Sequence, residues 1–252
     1  MLHTVCPSRS PSLLSHAYAD LVHRWLYEEV GILHRDPSMS NIMYRKVGKK
    51  VYGVLTDFDL SSWRADLTSD YTKTSQQRTG TPPFMAYGLL KGTDPLHLYR
   101  HDVESLFYVM LILATHYEIA IPEGRKKAVL RKRQGVKELP FTRWFNQPSY
   151  QMLGESKHSF FSTPSGVVLA PGFEAFRGWI SAIRSSFRDG VLAEFTHNVL
   201  VSREEEEEGP PAPPYDNETF GGHVDYLTLT SPADKLEGEL KGLIVRCPVQ
   251  PK

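Results

Sequence analysis

The residues able to do chemistry gather in two short stretches, His34-Arg35-Asp36-Pro37-Ser38-Met39-Ser40-Asn41 and Thr56-Asp57-Phe58-Asp59. A carboxylate in a polar loop can orient an attacking hydroxyl and take its proton. An amide oxygen a few residues on, and a second carboxylate after a short excursion of chain, are hard oxygen donors of the kind Mg²⁺ requires. Phosphoryl transfer needs both functions, because the metal neutralises charge on the β- and γ-phosphates while the carboxylate handles the incoming hydroxyl. Asp36 suits the first role; Asn41 and Asp57 suit the second. A lone His-Arg-Asp triplet arises readily by chance and usually marks a surface loop. The Asn after it, with Asp-Phe at the end of the next strand pair, is much harder to obtain by accident.

The surrounding pattern supplies elements to position them. Ile42 to Arg45 and Val51 to Thr56 read as strands, and Val47-Gly48-Lys49-Lys50 reads as their hairpin turn, which brings Asn41 and Asp57 to the same end. Pro11 to Val30 reads as a helix, with Leu14, Ala17, Tyr18, Leu21, Val22 and Trp25 at helical spacing and Gly31 as its stop. Ser61 to Thr81 is polar, rich in Ser and Thr, and without periodicity; a loop of about 20 residues inside a compact domain tends to be functional. Val103 to Glu118 is apolar almost all round, which predicts a helix through the middle of a core. Lys126 to Lys132 and Phe173 to Phe187 read as amphipathic helices, with Trp144 and Phe145 between them as core residues.

Composition narrows the class. Lys and Arg number 29, as do Asp and Glu, so no net field draws the chain to nucleic acid or to a membrane, and neither is expected as a partner. The longest apolar run, Leu106 to Ala114, falls well short of the roughly 20 residues of a membrane helix. Cys6 and Cys247 are too few and too far apart for a disulfide framework or a zinc site. The N-terminus lacks the charged and apolar blocks of a secretory signal. These features predict a cytoplasmic or nuclear protein. Arg125 to Lys137 holds seven Lys or Arg residues; a solvated helix face is the first reading, a nuclear address or nucleic-acid patch the second. Glu204 to Glu208, followed by Gly209-Pro210-Pro211-Ala212-Pro213-Pro214, reads as a linker before a polar tail.

The His-Arg-Asp, the Asn, the hairpin and the Asp-Phe in this order resemble the catalytic loop and metal-binding turn of protein kinases. More narrowly, Gly31-Ile32-Leu33-His34-Arg35-Asp36, Asp57-Phe58-Asp59-Leu60, His101-Asp102-Val103-Glu104-Ser105, Trp144 followed by Lys157, and Glu218-Thr219-Phe220-Gly221-Gly222-His223-Val224 are similar to the fungal-type protein kinase family, over roughly Pro11 to Tyr226. The resemblance implies a mainly α (α+β) fold, a kinase-like C-terminal lobe with a small β-hairpin, truncated before the N-lobe. It divides the chain into a lobe at 1–200, an acidic and Pro-rich linker at 201–215 and a tail at 216–252. Within the lobe lie a catalytic loop at 34–41, a metal turn at 57–59 and an activation segment at 57–86.

The same resemblance implies serine/threonine kinase activity on a protein substrate, with ATP and Mg²⁺ as cofactors. Asp36, Arg35 and Thr81 would be catalytic, Thr81 by hydrogen-bonding Asp36. Asn41, Met43 and Asp57 would bind the nucleotide, Met43 against the adenine, with Asn41 and Asp57 holding the metal. Arg78 to Ala86 is similar to the end of an activation segment, where a peptide docks. Asp102 would accept hydrogen bonds from the catalytic-loop backbone, or act only as a helix cap. Arg35 would meet a phosphorylated residue, with Thr72, Thr74, Ser75 and Thr79 as candidates.

The departures carry their own expectations. Ser38 stands where such kinases place a Lys, Asp59 where the metal turn has Gly, and Ala86-Tyr87-Gly88 where Ala-Pro-Glu is usual. The last removes an ion pair, so the segment needs another anchor. About 33 residues precede His34, room for a helix but not for a Gly-rich loop and a strand Lys. The chain is therefore expected to be a fragment or short form, weak or inactive alone. Leu33, Ile42 and Val54 are expected to expose apolar surface at an open end that a missing N-lobe or partner would cover. Two other readings stay open: a small-molecule phosphotransferase of the aminoglycoside or choline kinase type, to which a second carboxylate like Asp59 is similar, and a non-catalytic pseudokinase binding module.

Overall fold

In the computed structural model, which describes residues 3–4, 22–47, 50–64, 80–92, 96–120, 123, 129–163, 166–206 and 209–230, the loop 34–41 lies between a helix and a β-hairpin. β1 (His3–Thr4) is followed by α1 (residues 22–30), which starts as α-helix and passes into a π turn, Leu26–Val30. Gly31, at φ 78, ends it by donating its N–H to the Leu26 carbonyl, a left-handed conformation that glycine adopts without Cβ strain. Leu14, Ala17, Tyr18 and Leu21 of the expected helix lie outside the described residues. β2 (Ile32–Leu33) leads into the loop. β3 (Ile42–Val47) and β4 (Lys50–Leu55) form the expected antiparallel hairpin, with Ile42 opposite Leu55 and Val47 opposite Lys50; β1 pairs with β3 on its other edge. β5 (Ser62–Trp63) pairs antiparallel with β2.

The rest is largely helical. A 3-10 turn, Pro82–Phe84, precedes α2 (Tyr87–Lys91), and α3 (Tyr99–His116) follows, every one of its residues buried. Its start is capped by His101, whose Nδ1 accepts the Leu98 N–H at 2.9 Å. β6 (Tyr117–Ala120) and β7 (Val129–Lys132) pair antiparallel. α4 (Tyr150–Ser162) is N-capped by Ser149, and α5 (Arg177–Glu205) and α6 (Leu227–Thr230) complete the order. Helices with small antiparallel sheets make an α+β fold. Among the described residues, no helix is long and apolar enough to cross a membrane.

Several sequence expectations are corrected here. Residues Val129–Lys132 are strand, not helix: Leu130 is buried while Arg131 is exposed and paired with Glu118 across the ladder, a period of two rather than 3.6. Helix α3 ends at His116 because Tyr117 turns extended, φ -119 and ψ 156, to join that ladder. Phe145 is 45% exposed although Trp144 is buried, because successive side chains of the short 3-10 turn Thr142–Phe145 point about 120° apart. Leu33 and Ile42 are fully buried, because both side chains turn into the core beside Leu55, and Val54 is only partly exposed. Near the loop, the exposed large apolar side chains are instead Phe58, Leu60 and Trp63.

The described part of the tail packs against the helices. Phe220 is fully buried beneath the Arg100 guanidinium, 4.2 Å from its ring, and Arg100 Nε donates to the Asn217 carbonyl at 2.6 Å. Tyr99 donates its hydroxyl to Val224 O, Trp179 donates Nε1–H to Leu229 O, and the Tyr226 ring stacks on Tyr99. Gly190 makes room for this strap: a Cβ there would lie 2.4 Å from Phe220 Cδ1. The stretch expected as linker is helical through Glu205, and beyond it Ala212 N–H donates to the Glu204 carboxylate.

Candidate functional site

The loop is fixed from beneath by Asp102, in the first turn of α3. One carboxylate oxygen, Oδ2, accepts the backbone N–H groups of His34 (3.1 Å) and Arg35 (3.0 Å) and contacts His23 Nε2 at 2.8 Å; Oδ1 contacts His97 Nε2 at 2.8 Å. Burial by itself would raise the pKa of this carboxyl, but the His23 and His97 hydrogen bonds and charges hold it well below the usual carboxylate range. Asp102 is therefore ionised and far more than a helix cap. Its grip sustains Arg35 at φ 70, a left-handed conformation that a side chain other than glycine's adopts only when its surroundings enforce it.

His34 is buried and neutral, its basicity lowered chiefly by desolvation. Its Nε2 lies 3.0 Å from the Thr56 carbonyl and its Nδ1 is 3.3 Å from the Asp36 N–H. One tautomer satisfies both contacts: Nε2 donates to Thr56 O while Nδ1 accepts from Asp36. The Phe58 ring packs on the imidazole at 4.8 Å. The loop is thus stitched to the residue that follows the hairpin's second strand, and Thr56 N–H and hydroxyl both donate to the Asn41 carbonyl, at 2.9 and 3.2 Å.

Asp36 sits at the centre. Its Oδ1 accepts the Thr81 N–H at 2.7 Å and the Thr81 hydroxyl at 2.8 Å; its Oδ2 accepts Asn41 Nδ2–H at 3.0 Å. Asn41 Nδ2 also donates to the Asp36 carbonyl at 3.0 Å, so both amide hydrogens are engaged by Asp36 and Oδ1 is left as an acceptor for another ligand. Gly80 lets the incoming segment pass this close: at φ 126 it lies where a Cβ would be 3.1 Å from Met85 Cγ and 3.4 Å from the Arg35 carbonyl.

The structure therefore brings Asp36, Asn41 and Thr81 into direct contact, with Arg35 held by its backbone. Asp57 follows Thr56, at φ 64, with its side chain exposed; no hydrogen bond joins it to Asp36 or Asn41. Asp59 is exposed as well, and Met43 is partly buried on β3 opposite Thr4 and Val54. Ser38 is buried with its Oγ 2.8 Å from Ser40 Oγ, so it does not reach outward as a Lys would. Thr72, Thr74, Ser75 and Thr79 lie outside the described residues. Among the described residues no three His, Cys, Asp or Glu side chains stand together as a metal cage.

Four residues at this site escaped sequence reasoning for their roles. His23 and His97 clamp Asp102 from 79 and 5 positions away, and an isolated histidine carries no signal of such a partner. Glu104 and Lys157 stood only as parts of a resemblance. Glu104 Oε1 accepts the Tyr87 N–H at 2.8 Å and the Tyr108 hydroxyl at 2.5 Å, while Lys157 Nζ donates to the carbonyls of Pro83 (2.9 Å) and Met85 (2.5 Å). Both side chains are fully buried.

No curated protein matches the chain. One family does, over a stretch that contains the loop, the hairpin, the Asp57 turn, Thr81 and nearly all of α3. That stretch, residues 9–114, matches the family described as fungal protein kinase.

Proposed function

We propose that this chain is the acceptor-handling lobe of a protein serine/threonine kinase, serving transfer of the γ-phosphoryl group of ATP to a hydroxyl of a protein. The observation that carries this reading is the Asp36 carboxylate, held through one oxygen by Thr81 and through the other by Asn41. The family match supports kinase-like chemistry for the same stretch.

The donor set fits Mg²⁺. Asn41 Oδ1 and the exposed Asp57 carboxylate would hold the ion, hard oxygens that leave room for phosphate and water ligands. When bound, Mg²⁺ neutralises charge on the phosphates. The remaining work belongs to the chain. With one hydrogen bond from Asn41 on Oδ2 and two from Thr81 on Oδ1, Asp36 keeps an oxygen lone pair on Oδ2 to accept the hydrogen of an incoming hydroxyl. It would orient that hydroxyl and take its proton as the oxygen bonds to the γ-phosphorus and the bond from that phosphorus to the departing ADP breaks. Thr81, which precedes the Pro82–Phe84 turn, ties this carboxylate to the segment on which a peptide would lie. Met43 would offer one wall to the adenine, and Arg35 would act through its backbone position in the loop.

The test is transfer of radiolabel from Mg-ATP by the 252-residue chain and by any longer form, against a serine/threonine peptide array and a panel of amino alcohols. Labelled peptides, lost on Asp36→Asn, support the reading. Labelled amino alcohols with bare peptides would replace it with a small-molecule phosphotransferase. No transfer by any form, with no Mg-ATP binding, would leave a non-catalytic binding module.

A further inference from the structure

Phe84, Met85, Ala86 and Tyr87 are buried where the Pro82–Phe84 turn passes through an extended link into α2, a stretch whose backbone carbonyls need partners from outside a helix. Lys157, thirteen positions past Trp144 on the fully separate helix α4, reaches them: its Nζ donates to Pro83 O and Met85 O. The ammonium also lies 4.0 Å from the Tyr108 ring centroid and 5.1 Å from that of Trp144. Tyr108 in turn donates its hydroxyl to Glu104, which accepts the Tyr87 N–H. The segment is thereby gripped at alternate residues, by its carbonyls at 83 and 85 and by its amide at 87. An apolar side chain of similar volume would fill the space at 157 without the cost of burying an amine, but it could satisfy neither carbonyl. Burial pushes the Lys157 ammonium toward its neutral form, with the nearby Glu104 charge opposing this, and either form can donate to carbonyls.

We infer that Lys157, together with Glu104, is the positioning device for the segment Thr81–Tyr87, replacing the missing Ala-Pro-Glu anchor and keeping Thr81 in register with Asp36. The role assigned to that segment, a ledge for a peptide acceptor, rests on the kinase reading; the clamp itself does not.

Amide hydrogen exchange on the 252-residue chain tests the clamp without needing catalysis. In Lys157→Met, the Thr81 and Tyr87 amides should exchange about tenfold faster or more, while residues 103–114 stay as protected as in the wild type. Lys157→Arg, which keeps donors at the site, should restore much of the protection. Asp36→Ala should speed Thr81 and leave Tyr87 unchanged, because the Tyr87 N–H is bonded to Glu104 and not to Asp36. The inference is overturned if Lys157→Met matches the wild type, or if it loosens 103–114 as much as 81–87, which would make Lys157 a general core residue. If Lys157→Met does not fold, Glu104→Gln takes its place: faster exchange confined to Tyr87 and its neighbours supports the clamp, and unchanged exchange refutes it. Absence of phosphoryl transfer from every acceptor would sink the kinase reading but leave this exchange pattern intact, so the two failures are distinguishable.

Discussion

Asp102 Oδ2 accepts the backbone N–H of His34 at 3.1 Å across 68 positions of sequence, joining the first turn of α3 to the loop that carries Asp36. The same carboxylate serves Arg35, His23 and His97, so its removal orphans several buried donors at once. Asp102→Asn is expected to cost about 2–4 kcal/mol by urea denaturation at pH 7, since the amide keeps one acceptor oxygen but loses the charge and sets an NH₂ donor against groups that had an acceptor.

The same residue sets an acid dependence. Its folded-state pKa lies well below the ordinary value of 3.8, so the unfolded chain binds the proton more readily. The resulting stabilisation is fully present above the unfolded value, at about pH 4, and is lost as pH falls through the lower folded value. A pH series of urea midpoints from 7 down to 3 should therefore fall more steeply for the wild type than for Asp102→Asn. Parallel curves would show that another carboxylate governs acid unfolding.

Thr81 makes two bonds to Asp36, one through its backbone and one through its hydroxyl. Thr81→Val keeps shape and backbone and deletes only the hydroxyl. Folding stability should change by about 1 kcal/mol or less. Phosphoryl transfer, measured in whichever form of the protein is active, should drop roughly tenfold through the loss of one orienting bond; Asp36→Asn should drop it by about 10²–10⁴. Equal rates for wild type and Asp36→Asn would remove Asp36 from the chemistry.

Binding of Mg-ATP is expected to weaken about tenfold or more in Asp57→Asn, because one of the two oxygen donors proposed for the ion loses its charge. Isothermal titration checks this. Insensitivity of the binding to Asp57→Asn would remove Asp57 as a metal ligand.

Gly190 and Phe220 test the tail. A Cβ at 190 would collide with the Phe220 ring, so Gly190→Ala should cost about 1–3 kcal/mol by overpacking. Phe220→Ala should cost about 3–5 kcal/mol by leaving a cavity beneath Arg100. If both variants unfold at the wild-type urea concentration, the strap is not part of the cooperative unit.

The sequence by itself determined what is local: the hairpin 42–55 from its alternation and turn, the stop at Gly31, the central helix from its continuous apolar character, and Asp36 with Asn41 as one constellation because five residues of loop keep them together. It misread Val129–Lys132 because a basic run with few apolar positions fits a helix face and a strand equally well until a partner strand decides the period. It misread Leu33 and Ile42 because burial depends on what folds beneath them. Tertiary structure alone decided which polar groups were buried in pairs: His23 on Asp102, Lys157 on Pro83 and Met85, Phe220 under Arg100. These partners are separated by 72 to 120 positions, and no spacing rule reaches so far. Desolvation makes an unpaired polar group costly only once the core has closed around it, so the pairing is a property of the closed core rather than of any one segment.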